Sequence, residues 1–98
     1  MTITKELNGT ALKIVLEGRL DTMTAPELER ELNQDLGTVE NLTMDFSKLD
    51  YISSAGLRVL LSAHKAMSGK GGMKITNVNE IVQEVFDVTG FADILTIE

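Results

Sequence analysis

Apolar and polar residues alternate through the first part of the chain, which is the pattern of β-strands with one buried face. The apolar positions are Ile3 and Leu7 in a first run and Leu12, Ile14 and Leu16 in a second. Asn8 and Gly9 lie between the two runs, and an Asn-Gly pair favours a tight hairpin because both residues tolerate positive φ. The pattern therefore predicts two antiparallel strands joined by a turn at Asn8 and Gly9.

A spacing of three to four residues follows and predicts an amphipathic helix. The apolar stripe of this helix consists of Leu28, Leu32 and Leu36. The segment Thr24–Glu27 has the form of a capping box with Pro26 in the first turn, and Gly37 is placed to end the helix.

The middle of the chain predicts a buried strand followed by a second helix. Leu42–Phe46 is apolar at every second position. One face of the helix after it carries Leu57, Leu60, Leu61, His64 and Met67. Glycines at 69, 71 and 72 end this helix and form a turn.

The last part of the chain predicts two more strands around a third helix. Met73–Val78 has the pattern of a strand, and Leu95–Ile97 forms a short final one. Asn79 is placed to cap the helix between them, and Gly90 to end it. The apolar side of this helix carries Ile81, Val82, Val85 and Phe86.

The predicted order is β-β-α-β-α-β-α-β within a single domain, residues 1–98. Each β-α-β unit should form a right-handed crossover between parallel strands. We therefore expect an α/β fold, in which a mixed β-sheet begins with an antiparallel pair and helices pack against it.

The composition restricts the function more than the fold. The chain has no cysteine, which excludes disulfides, thiolate metal sites and a cysteine nucleophile. Its net charge is −6 and its nine basic residues are scattered, which argues against a nucleic-acid partner. No apolar run approaches the roughly 20 residues that span a bilayer, and the N-terminus lacks the apolar core of a signal peptide. We therefore expect a cytoplasmic protein that does not insert into membranes.

Two adjacent hydroxyls, Ser53 and Ser54, lie where the buried strand gives way to the second helix. Serine at a helix start accepts a hydrogen bond from an orphan N–H group, and free N–H groups and the helix dipole also favour a phosphate there. Ser54 is therefore expected either to cap the helix or to mark a place where a phosphate is held.

Enzymatic chemistry finds no support in the sequence. The only histidine, His64, lies ten residues beyond Ser54 on the same predicted helix. This separation is about 15 Å along the axis, whereas a nucleophile and its base must lie within about 3 Å. No carboxylate pattern matches a calcium loop, and no glycine-rich phosphate motif follows a strand. The sequence thus predicts neither a catalytic residue nor a metal or cofactor site.

The segment Leu49–Leu61, which reads Leu-Asp-Tyr-Ile-Ser-Ser-Ala-Gly-Leu-Arg-Val-Leu-Leu, resembles the signature of the STAS domain. This is the family of the bacterial anti-sigma factor antagonists. Gly18–Asp21 with Ala25, and Val85–Phe91 near the end, extend the resemblance over nearly the whole chain. The resemblance implies the STAS fold and a regulatory role in transcription without enzymatic activity.

The resemblance also implies a phosphorylation switch at the serine turn. In the family, the serine two residues before the glycine is phosphorylated, and this residue is Ser54 here. Ser53 is the lesser candidate, because it stands where the best-known antagonists carry Asp. The implied partners are an anti-sigma factor serine/threonine kinase, which binds the unphosphorylated domain, and a metal-dependent serine/threonine phosphatase, which restores it.

The partner-binding residues are expected to surround this turn. Asp21 follows the second strand, and functional groups of α/β sheets gather outside the carboxyl ends of parallel strands. Arg58 lies one helical turn after Ser54 and should face outward. The expected partner-binding set is Asp21, Ser53, Ser54, Gly56 and Arg58. An alternative stays open, in which the domain is a non-phosphorylated adaptor subunit of a lipid-type ABC transporter or of a signalling scaffold.

Overall fold

A computed structural model describes all residues of the chain, Met1–Glu98. Five strands form one sheet, with three helices packed on one of its faces. In chain order the elements are β1 (Thr2–Asn8), β2 (Ala11–Leu20), α1 (Ala25–Asp35), β3 (Asn41–Ile52), α2 (Ser54–Met67), β4 (Met73–Thr76), α3 (Glu80–Thr89), a 3₁₀ turn (Phe91–Asp93) and β5 (Thr96–Ile97). The predicted element order is confirmed, and only the 3₁₀ turn was not expected.

The strands lie in the sheet in the same order as in the chain, from β1 to β5. β1 and β2 are antiparallel, whereas β2 to β5 run parallel to one another. The predicted mixed sheet is therefore confirmed. Because the parallel strands share one direction, all their carboxyl ends lie at the same edge.

The hairpin turn lies one residue further along than predicted. Asn8 pairs with Ala11 in the ladder, so the two turn residues are Gly9 and Thr10. Gly9 has φ of 65°, and it is the only one of the two with positive φ. A glycine at the first central position fits a type II′ turn, which matches the twist of the two strands.

The bounds of α1 agree with the prediction and Thr24 is its N-cap residue, but the expected side-chain capping bond is absent and the expected Gly37 cap is wrong. The Thr24 hydroxyl accepts no capping bond from the helix; it accepts from the Asp21 N–H at 2.9 Å and donates to the Arg19 carbonyl at 2.7 Å. At the other end Leu36 is the C-cap, and Gly37 does not adopt a positive φ. The Lys70 ammonium donates to the Leu36 carbonyl at 2.5 Å, so a distant lysine replaces the expected glycine cap.

β3 is longer than the predicted Leu42–Phe46 and continues to Ile52. Its pairing with β2 shifts register twice, which inserts extra residues into β3. Phe46, Leu49 and Ile52 consequently face the core at intervals of three residues instead of two. Because the strict alternation of apolar and polar residues ends at Phe46, the sequence pattern predicts too early an end for the strand.

The core lies between the helices and one face of the sheet. In β2 the residues facing the helices are fully buried and those between them are mostly exposed. α2 covers this face through Gly56, Leu57, Val59, Leu60, Ala63 and Met67. Leu61 and His64, which were expected on the buried side, are only half-buried. Full burial of one such aliphatic side chain stabilises the fold by about 1.5–3 kcal/mol.

The ends of α3 agree with the prediction. The Asn79 side chain accepts a hydrogen bond from the Val82 N–H at 2.8 Å, and Gly90 adopts the left-handed conformation with φ of 81°. The Phe86 ring packs 6.4 Å from the Phe46 ring, which fixes α3 on the sheet. β4 ends at Thr76 instead of Val78, because Asn77 has a positive φ of 59° and leaves the strand conformation.

Candidate functional site

The serine turn lies at the edge where the parallel strands end. Leu20 and Ile52 are the last paired residues of β2 and β3, and the Ser53 N–H donates to the Leu20 carbonyl at 2.9 Å. Asp21 follows Leu20 directly, so Asp21 and the two serines share this edge, as predicted. The two register shifts in β3 bring Ile52 opposite Leu20 and thereby set the position of the turn.

Ser53 is the N-cap residue of α2, but its side chain does not cap. Its backbone is extended, with φ of −105° and ψ of 176°, and its carbonyl accepts from the Leu57 N–H at 3.0 Å. The Ser53 hydroxyl is buried and has no hydrogen-bond partner in the protein. Its oxygen is therefore out of reach of solvent and of a large partner.

Ser54 is the first residue of α2, and its side chain is exposed. The expectation that Ser54 caps the helix is wrong, since Ser53 occupies the cap position. The N–H groups of Ser54, Ala55 and Gly56 precede the first helical hydrogen bond and have no partner within the helix. Ser54 thus presents a free hydroxyl beside unpaired N–H groups at the positive end of the helix dipole.

Gly56 lets α2 start directly on the sheet edge. A Cβ atom at this position would lie 2.7 Å from the Leu20 Cγ and 2.9 Å from the Ile52 Cγ1. Both distances are shorter than ordinary van der Waals contact, so any larger residue would lift the start of the helix. Gly56 is buried, and its close packing against Leu20 and Ile52 sets where α2, and with it Ser54, begins.

The Asp21 carboxylate organises the turn beside the serines. Its Oδ1 accepts from the N–H groups of Met23 at 3.0 Å and Thr24 at 3.2 Å, and its Oδ2 lies 3.7 Å from the Arg19 Nε. Desolvation opposes ionisation, but these hydrogen bonds and the nearby guanidinium outweigh it and hold the pKa of Asp21 below its usual range. Asp21 makes no hydrogen bond to either serine.

Arg58 is exposed, as predicted, and lies one helical turn after Ser54. Residues four apart on a helix are neighbours, so the guanidinium can reach a group attached to Ser54. Arg58 also lines a cleft of about 230 Å³ between the starts of α1 and α2. The other residues of this cleft are Thr22, Ala25, Pro26, Glu29, Ala55, Val59 and Ser62.

His64 lies too far from Ser54 to activate it as a nucleophile. The only histidine, His64, lies about 15 Å further along α2 at the helical rise. No group of three or more His, Cys, Asp or Glu side chains comes together in the structure. The arrangement at Ser54 suits a hydroxyl that another protein recognises or modifies.

None of the helices is long and apolar enough to cross a membrane.

Two features at this edge were not expected from the sequence. Met23 lies in the Asp21 turn and is 84% exposed, the largest fraction among the exposed large apolar side chains. The Arg19 guanidinium stacks 4.5 Å from the centre of the Tyr51 ring on the helix-free face of the sheet. A methionine among the polar residues of a turn was the available signal for the first. The second depends on the register shift that pairs Arg19 with Tyr51, which no local pattern reveals.

The fold and the site define an α/β domain with an exposed serine at a helix start. The chain belongs to the STAS domain family, whose model matches residues 2–98. It is 34% identical over 99 residues to BtrV of Bordetella bronchiseptica, covering 99% of this chain and 85% of BtrV. It is 29% identical over 91 residues to the anti-sigma-B factor antagonist of Bacillus subtilis, covering 92% of this chain and 84% of that protein.

The fold also matches solved structures. The crystal structure of an anti-sigma factor antagonist from Mycobacterium paratuberculosis superimposes with a TM-score of 0.88 at 20% sequence identity. The match covers 98% of this chain and 83% of that structure. At this level of identity the similarity establishes the fold.

Proposed function

We propose that this STAS domain is an anti-sigma factor antagonist whose partner binding is switched by phosphorylation of Ser54. In its unphosphorylated form it binds an anti-sigma factor serine/threonine kinase. The kinase then phosphorylates Ser54 and the complex separates, and a metal-dependent serine/threonine phosphatase restores the active form. The domain is the substrate and binding partner of these enzymes. The name of the Bacillus subtilis relative supports the assignment, and the geometry of the serine turn supports the switch.

The observation that carries the proposal is the contrast between the two serines. Ser54 is exposed, whereas the Ser53 hydroxyl is buried. A kinase must reach the acceptor oxygen from outside, and only Ser54 offers this access without opening the turn. Ser54 is therefore preferred over Ser53 as the acceptor.

A phosphate on Ser54 would be tolerated by the fold but would change the surface. It adds about −1.5 to −2 charges next to the unpaired N–H groups and positive dipole end of α2. Arg58, one turn along, can neutralise part of this charge. A partner surface that fits a neutral hydroxyl near the Asp21 carboxylate would meet two neighbouring negative charges. The switch therefore acts on binding and leaves folding intact.

The direct test is phosphate transfer. The domain is incubated with ATP and the anti-sigma factor kinase of the same genome, and phosphopeptides are mapped by mass spectrometry. We expect one phosphate, on Ser54, that is lost in Ser54→Ala and retained in Ser53→Ala. Modification confined to Ser53 would refute the site. Absence of both transfer and kinase binding would favour the non-phosphorylated adaptor role.

A second test separates charge from size. Ser54→Asp and Ser54→Asn introduce side chains of nearly equal shape, and only the first is charged. We expect Ser54→Asp to weaken kinase binding at least tenfold, which is about 1.4 kcal/mol, and Ser54→Asn to weaken it much less. Thermal melts should show both variants folded, because Ser54 makes no side-chain hydrogen bond and an acid in the first turn suits the dipole. Equal affinity of the two variants would rule out a charge switch.

A further inference from the structure

The negative charge of the protein is concentrated at its C-terminal end. Residues 75–98 contain five carboxylates and no Lys, Arg or His, so they carry five of the six net negative charges. Residues 1–74 contain ten acidic and nine basic residues and are almost neutral. Four of the five carboxylates belong to α3 and the 3₁₀ turn after it, namely Glu80, Glu84, Asp87 and Asp93. None of these four forms an ion pair; only Glu98 does, with Lys74 at 3.7 Å.

The same segment exposes apolar side chains. Ile81 is 59% exposed, Val88 is 76% exposed, and Ile94, which follows the 3₁₀ turn packed against α3, is 45% exposed. They are three of the five large apolar residues that the whole protein exposes. Ile81, Glu84 and Val88 are spaced by three and four residues, so they share the outer face of α3. We call the surface formed by residues 80–94 of α3 and the 3₁₀ turn the α3 face.

The requirements of the fold do not account for the α3 face. The core contacts of α3 are made by Val82 and Phe86, which are buried on its inner side. Asp87 lies in the last turn of α3, where the negative end of the helix dipole disfavours an acid, and no basic residue offsets it there. The Asp87 carboxylate accepts a hydrogen bond only from the Gln83 amide, at 3.0 Å. Exposed aliphatic residues among carboxylates without ion pairs add nothing to packing, but they are what a docked partner would cover.

The charge of the α3 face selects the class of partner. Anionic lipid and nucleic acid would be repelled by the carboxylates. A second copy of this chain would bring the same carboxylates into opposition. A segment with Lys and Arg around apolar anchors would pair with the carboxylates and cover Ile81 and Val88. We propose that the α3 face is a second interaction surface, separate from the serine turn, that docks a basic amphipathic protein segment.

A titration with a designed peptide tests this chemistry. The probe is an 18-residue helical peptide with Leu on one face and Lys on the others; a second peptide has the same composition in scrambled order. In ¹⁵N-labelled protein we expect amide shift changes concentrated in residues 80–95 and at least tenfold weaker binding of the scrambled peptide. Changes spread over the acidic residues of α1 and the sheet, equal affinity of the two peptides, or no binding would overturn the proposal.

Surface variants provide the matched controls. Ile81→Ser with Val88→Ser should weaken binding of the amphipathic peptide at least tenfold, whereas Leu7→Ser, an exposed apolar residue on β1, should leave it unchanged. Glu84→Gln with Asp87→Asn should weaken binding at low salt and have little effect at high salt. Unchanged affinity of the Ile81/Val88 variant would overturn the proposal. Sedimentation that shows a dimer of the native chain, lost in this variant, would assign the face to a second copy instead.

Discussion

The two ends of the parallel strands differ in how their polar groups are used. At the serine end, the Ser54 hydroxyl makes no hydrogen bond, the Ser53 hydroxyl is unpaired, and the first N–H groups of α2 have no partner in the helix. At the opposite end, which we call the base, the loops before β3 and β4 and the β1–β2 hairpin are tied to one another by hydrogen bonds. At the serine end the groups at the start of α2 stay free, whereas the loops of the base use theirs in hydrogen bonds to one another.

The base is held by backbone contacts between three loops. The Gly71 N–H donates to the Glu40 carbonyl at 2.7 Å, and the Glu40 N–H donates to the Thr10 carbonyl at 2.8 Å. Lys70 donates to the carbonyls of Leu36 at 2.5 Å and Val39 at 3.1 Å, which neutralises the negative end of the α1 dipole. These bonds join segments far apart in the chain and so stabilise the tertiary fold.

The base therefore stabilises the fold, whereas the serine end offers free groups to a partner. The unpaired N–H groups of α2 and the Ser54 hydroxyl can serve a partner or a phosphate without breaking an internal bond. Substitutions at the base should therefore change the free energy of unfolding and leave partner binding intact, whereas those on the surface of the serine end should do the opposite. Single substitutions at each end test this division.

Gly71→Ala should be the most damaging substitution at the base. A Cβ atom there would collide with the Asn41 Oδ1 and lie 2.5 Å from the Glu40 carbonyl oxygen, which is backbone and cannot move freely. We expect a loss of about 3 kcal/mol of unfolding free energy, the upper range for overpacking. The melting temperature should fall by roughly 12 °C or more.

Gly69→Ala is the matched control for Gly71→Ala. It lies in the same loop, but a Cβ atom there would meet nothing within 4 Å. Its melting temperature should stay close to that of the native protein. Equal melting temperatures for the two variants would show that the base tolerates movement and that its hydrogen bonds do not hold it rigidly.

Lys70→Met should have the next largest effect. It keeps the length of the side chain but removes the ammonium that donates to Leu36 and Val39. Hydrogen bonds from a charged group contribute about 1.5–3 kcal/mol, and partial exposure places this one near 1.5 kcal/mol. Urea unfolding should show the loss, and binding of the folded variant to the kinase should not change. Lys65→Met, which removes an exposed lysine without such bonds, is the control.

The fold could be predicted from the sequence wherever the signal was local. Residues a few positions apart determine the hairpin and the order of the elements. They also determine the two ends of α3, at Asn79 and Gly90. The larger features that were missed join distant segments, whereas the local errors are shifts of a residue or two. Lys70 caps α1 from 34 residues away. Nothing in the sequence near Leu36 indicates this bond, and Gly37 was the plausible local alternative.

The candidate site shows the same limit. The position of the serine turn followed from the pattern, and so did its proximity to Asp21. The pattern did not show which serine is exposed, because Ser53 and Ser54 are chemically identical and adjacent. The choice depends on where α2 begins on the sheet, and this is set by Gly56 against Leu20 and Ile52.

Arg58→Glu tests the outer surface of the serine end. We expect at least tenfold weaker binding to the kinase, about 1.4 kcal/mol, with an unchanged melting temperature. The effect should shrink as salt rises, since the contact is exposed. Lys65→Glu is the control, because it makes the same change of charge on the same face of α2 two turns away. Equal effects of the two variants would mean that overall charge matters and that Arg58 has no specific contact.

Asp21→Asn tests the polar network of the turn beside the serines, and its effect should be the smallest. Because its pKa is lower in the folded than in the unfolded protein, ionised Asp21 stabilises the fold above the usual carboxyl range. This contribution is lost as the pH falls through the folded pKa. Asp21→Asn should therefore unfold more easily than the native protein at pH 7, and the difference should disappear in acid. Asp50→Asn, which removes an exposed carboxylate that accepts no hydrogen bond, should match the native protein at pH 7. If Asp21→Asn also matches the native protein at pH 7, the Asp21 turn does not stabilise the serine end.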